Sequence, residues 1–125
     1  MTTEITEELE YMCFYIDPNC DDIKNYIMVN NININDEDFL RNVCISPDDK
    51  LFKSFLYELN ANFLVNNMAI LEFLASCGDI DKLQILMNFY RISTDEFVKK
   101  SNRSTILINK TTANYFIRKQ NHYVG

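Results

Sequence analysis

Two pairs of adjacent carboxylates, Asp21–Asp22 and Asp48–Asp49, are the residues whose type and spacing come nearest to chemistry. Paired acids do general acid–base work when a pocket sets their pKa values apart. Here each pair follows a proline, in the turns Asp17-Pro18-Asn19-Cys20-Asp21-Asp22 and Ser46-Pro47-Asp48-Asp49. That context points instead to helix capping in solvent. The single histidine, His122, lies near the C-terminus, so no Ser or Cys nucleophile has a base beside it. With only two glycines, the chain has no phosphate-cradling loop. Asp36-Glu37-Asp38 lacks the alternating ligands and central Gly of a calcium loop. Cys13, Cys20, Cys44 and Cys77 show no metal-binding spacing and are expected to be buried, reduced thiols. The expectation is a chain that is not an enzyme, with no catalytic residues, cofactor or metal.

The elements that hold these acids repeat. One phrase recurs at roughly thirty residues: an apolar helical segment, a Pro or Gly turn with Asp, a second apolar segment and an Asn-rich exit. The third turn is Ser76-Cys77-Gly78-Asp79. In the first copy Leu9, Met12, Cys13 and Ile16 recur at helical spacing. Leu40, Val43 and Cys44, then Ile70, Phe73 and Leu74, match them in the next two copies. The second faces are Ile23, Tyr26 and Ile27; Phe52, Phe55, Leu56 and Leu59; Ile80, Leu83 and Leu86 with Met87. Cap-like starts stand at Thr6, Asn35, Asn66 or Asn67, and Thr94, with Asp22 placed to cap the second segment. Helices this short must bury their apolar faces on neighbours. The pattern predicts an all-α single domain over 1–125, a short stack of about three helix-turn-helix repeats. Its units are 6–34, 35–65 and 66–93, followed by an atypical, basic C-terminal cap at 94–125. Within the cap, Thr105–Ile108 reads as a short strand or helix, and Thr111 or Thr112 as the start of a last helix.

Charge is distributed unevenly. Residues 1–49 hold twelve acids against two bases, a balance of −10, while residues 98–125 hold six bases and no acid. Such a field steers association with charged partners. Tyr11, Tyr15, Tyr57 and Tyr90 fall off the inner stripes and are candidates for an exposed contact face. The expected site is a partner-binding face of Asp21, Asp22, Asp48 and Asp49 with Tyr15, Tyr57 and Tyr90, meeting a basic protein surface. The alternative is a small viral or phage inhibitor that mimics nucleic acid and blocks a host nucleic-acid-binding enzyme. The basic tail is a modest footprint, so direct nucleic-acid binding is not expected. No apolar run reaches the length of a membrane span, and the polar, acidic start is unlike a secretory leader. The expected location is the cytoplasm, a host's cytoplasm included.

The third copy, Ala69 to Met87, resembles an ankyrin repeat: an apolar first helix, a Gly turn, and a second helix, Leu83-Gln84-Ile85-Leu86, like the family's leucine-rich one. Asn60-Ala61-Asn62-Phe63 is similar to the family's exit. The resemblance covers roughly residues 6–97. The family's Thr-Pro-Leu-His opening is absent. Asn31 and Asn60 stand where it has Gly, and both tolerate left-handed backbone. The repeats fall short of the usual length of about 33, so reduced β-hairpin fingers are expected. Together with abundant Asn, Ile, Lys and Tyr, this looks like a degenerate ankyrin-like, helical-hairpin protein of viral, protist or intracellular-bacterial type. The resemblance implies a host- or partner-facing adaptor.

Overall fold

Most of the helices begin where a polar side chain can reach a free amide. Thr6 accepts from the Leu9 amide at 3.1 Å and opens α1, Glu7–Phe14. Glu7, Glu8 and Glu10 then stand at its positive end. The computed structural model describes residues 2–101 and 109–124. Among these, every regular element is helical; the one β feature is an isolated bridge between Thr3 and Ile32. The run Thr105–Ile108 and the side chain of His122 lie outside the described residues.

The chain divides into two compact units, Met1–Val65 and Asn66–Gly125. In the first, α2 spans Cys20–Asn30, α3 spans Glu37–Ile45, and α4 spans Asp49–Lys53, running on through a π-helical turn, Ser54–Glu58. Helix α1 packs on α2, and α3 on α4. The cap of α2 is Asn19, not Asp22. Pro18 halts α1, the chain turns at once, and extended Asn19 accepts from the Asp22 amide at 3.1 Å. Likewise Asp36, not Asn35, caps α3. Asn35 instead accepts from the Asn62 amide at 2.8 Å, tying two loops together. Ile16 leaves the inner face for the same reason: α1 ends at Phe14 ahead of Pro18, and Ile16 is exposed.

Leu9, Leu40, Val43, Cys44, Leu51, Phe55, Leu56 and Phe63 are fully buried in this unit. Rings join the helices: Phe14 to Phe39 and Phe39 to Phe55, each with centroids 5.6 Å apart. Tyr26 is half-buried rather than core, because its hydroxyl pairs with that of Thr6 at 3.1 Å.

In the second unit α5 spans Ala69–Cys77, α6 Ile80–Phe89, α7 Thr94–Lys100 and α8 Lys110–Val124. Ile70, Leu74, Leu86 and Phe97 are fully buried, while Phe73 is only half-buried. Asn66 and Asn67 are not caps. Both are left-handed (φ 56° and 62°), and α5 starts at Met68 without a side-chain cap. Ser93, one residue before the expected Thr94, caps α7. Asn109 accepts from the amides of Thr111 and Thr112 and caps α8. The Thr112 hydroxyl is buried and donates to the Ala75 carbonyl at 2.6 Å, and α8 also packs on α6. Phe97 and Phe116 stack at 5.5 Å.

The helix exits share a device. After α2, after the π-helical turn that extends α4, and after α6 comes a single left-handed residue: Asn31, Asn60 and Arg91, with φ between 50° and 57°. The next residue, Ile32, Ala61 or Ile92, is buried and bonds back to a late helix carbonyl, at 2.8–3.1 Å. Gly78 ends α5 in the same way, with φ 77°. These bonds satisfy carbonyls that a helix end leaves open.

Candidate functional site

In the first unit the two proline turns are brought side by side. Cys20 at the start of α2 points its Sγ at the Lys50 carbonyl of α4, 3.9 Å away. Between the turns lies a shallow groove of about 550 Å³. Its apolar wall is Phe14, Ile16, Pro18 and Pro47; its charged lining is three acids, Asp17, Asp48 and Asp49, and one base, Lys50. The groove depends on the early end of α1, which releases Ile16 from the core. Sequence reasoning missed Ile16 and Asp17 as site residues. The signal was present: both immediately precede the proline that stops the helix.

The expected site residues play different parts. Asp21 and Asp22 are exposed in the first turn of α2. Asp21 is 3.4 Å from Lys24, which also pairs with Glu58. The Lys24 pKa is raised above its ordinary value, chiefly by the hydrogen bond to Glu58, with Asp21 adding to it. Asp48 is half-buried and accepts from the Lys50 amide at 2.9 Å, so it holds the start of α4. Asp49 is exposed beside it. Tyr15 is 75% exposed and stacks on Tyr11; Tyr57 is 55% exposed on the π-helical turn. Tyr90 belongs to the second unit, is half-buried, and sits edge-on to Phe89 at 5.0 Å.

None of the four cysteines forms a disulfide, and only Cys13 and Cys44 are buried. Cys77, the last residue of α5, is exposed, and Cys20, in the first turn of α2, is half-buried. Burial pushes the Cys13 thiol from 9.0 up to about 12, with Cys20 and Glu10 adding to the rise. Its folded pKa therefore exceeds its unfolded one. The associated stability is fully present below pH 9.0 and is lost as pH rises towards 12. The loss reaches about 1 kcal/mol by pH 10. Urea titrations of native and Cys13→Ala chains at pH 7.5 and 10 check this: the variant lacks that share of the alkaline loss. Alkylation timed by mass spectrometry gives a parallel readout, with Cys77 modified first and Cys13 only on unfolding.

Among the described residues no group of three or more His, Cys, Asp or Glu side chains could hold a metal ion. Nor is any helix among them long and apolar enough to cross a membrane. No protein-family model matches this chain, and no curated protein or solved structure matches it either.

Proposed function

We propose that this chain is a non-enzymatic protein-interaction module, built from ankyrin-like helical-hairpin repeats, that binds a basic surface of a partner protein through its acidic unit. The observation that carries this reading is the groove between the two proline turns, where three carboxylates against one lysine rim a partly exposed apolar wall. A basic amphipathic segment suits such a surface: its apolar side meets Ile16, Pro18 and Pro47, and its cations meet Asp17 and Asp49. The shared left-handed exits after α2, the π-helical turn and α6 support the repeat reading.

Charge complementarity of this kind acts on association rate more than on final affinity. The triple variant Asp21→Asn, Asp22→Asn, Asp49→Asn removes three exposed charges and leaves Asp48, which caps α4, in place. Affinity capture with native and variant chains, followed by stopped-flow mixing with the protein retained, makes the test. A basic protein captured by the native chain should associate roughly tenfold more slowly with the variant at low salt, and the gap should close as salt rises. Equal association rates at low salt would remove the acidic unit from the interaction. Release of the captured protein by DNA would favour nucleic-acid mimicry.

A further inference from the structure

The outward face of α1 carries a second feature, distinct from the groove. Glu7, Tyr11 and Tyr15 lie four residues apart, with Glu10 beside them, so one helix face presents all four. They line a depression of about 310 Å³. Tyr11 is 51% exposed and Tyr15 75%, so both rings can be reached from solvent. Their rings are nearly parallel, 15° apart in tilt, with centroids at 6.2 Å. No base lies in the last turn of α1, and none occurs in the chain before Lys24. The negative helix end beside Tyr15 is therefore not offset by a cation of its own helix.

Ring faces, carboxylates and a helix C-terminus all attract a cation. From this we infer that the α1 face is a platform for the guanidinium of an arginine in the partner's basic segment. The inference rests on reading the acidic unit as a partner-binding surface, and names the side chain that this part of it takes. Two near-parallel rings offer flat faces, not the walls of an aromatic box, so a planar cation fits better than a quaternary ammonium. Guanidinium is planar, weakly hydrated and able to bond a carboxylate while it stacks; lysine's ammonium is a compact, strongly hydrated charge. A neutral ring such as a sugar would gain no charge attraction from Glu7 and Glu10, and a nucleotide's phosphate would be repelled by them.

Octa-arginine and octa-lysine peptides, titrated calorimetrically at physiological salt, test the inference. Octa-arginine should bind the native chain more tightly than octa-lysine by about two- to fivefold. The Tyr11→Leu/Tyr15→Leu chain keeps the apolar cover but loses most of the π surface, and should bind both peptides alike. Its fold is checked by circular dichroism and thermal melting. Glu7→Gln/Glu10→Gln should weaken both peptides. Equal binding of the two peptides to the native chain, or an arginine preference that survives in the leucine variant, overturns the platform. In that case salt-dependent binding that still weakens in the Asp21/Asp22/Asp49 variant leaves the wider reading standing. Absence of binding by either peptide overturns both.

Discussion

Phe39→Ala is expected to destabilise the first unit by about 3–5 kcal/mol, a large part of the stability of an ordinary domain. Phe39 is the middle ring of three. It meets Phe14 of α1 on one side and Phe55 of the π-helical turn on the other, with both centroid distances 5.6 Å. The ring thus joins the first hairpin to the second. Truncation removes its own buried surface and the partner of two other rings, and the cavity lies between hairpins that cannot close it without moving. Phe39→Leu, which keeps most of the apolar volume, should lose much less. Tyr57→Ala, exposed on the same stretch as Phe55, should stay within about 0.5 kcal/mol of the native chain. Urea unfolding followed by circular dichroism measures all three. A loss below about 1 kcal/mol for Phe39→Ala would mean that the ring trio does not hold the hairpins together. Phe14 also lines the groove, so loosening the trio should blunt partner capture along with stability.

Phe39 also shows where the sequence stopped being readable. Helical spacing marks Leu40, Val43 and Cys44 as the inner stripe of α3, and all three are buried. Phe39 lies next to that stripe, and whether such a flank is buried depends on a neighbour, here Phe14, that no local pattern predicts. Features set by local chemistry were easier. Pro18 and Pro47 mark turns because proline cannot continue a helix, and Asn31 and Asn60 mark left-handed exits because Asn tolerates that backbone. Arg91 adopts the same conformation without any such preference. Its place is set by two backbone bonds, Arg91 to Asn88 and Ile92 to Met87, and by the burial of Ile92. Thr6 caps α1 as its sequence suggests, but other cap positions are displaced by one to three residues, as at Asn19, because Ser, Asp and Asn neighbours compete for the same role. The π-helical turn left no sequence signal. Of the site, the acidic turns were legible one by one, since each repeats a local phrase. The groove between them was not, since it is made by how two hairpins pack.

Gly78→Ala should cost the second unit about 2–3 kcal/mol, and its cause can be separated into two parts. The first is backbone: Gly78 sits at φ 77°, where an L side chain costs about 1–2 kcal/mol. The second is a neighbour. A Cβ at this position would lie 2.7 Å from both terminal atoms of the Asn109 side chain. That side chain caps α8 by accepting from Thr111 and Thr112, so pushing it aside forfeits a cap worth about 1 kcal/mol. Moving α8 away as a whole is resisted, because buried Thr112 is bonded to Ala75 at the end of α5. Asn109→Gly removes the obstruction and, as glycine is a fair cap, should cost only a few tenths of a kcal/mol alone. The double variant should then be about as stable as a chain carrying the backbone penalty alone, roughly 1 kcal/mol better than the sum of the single changes. Thermal and urea unfolding of the four chains closes this cycle. Strict additivity would mean that Asn109 swings clear without losing its bonds, leaving the left-handed backbone as the sole reason for glycine at this turn.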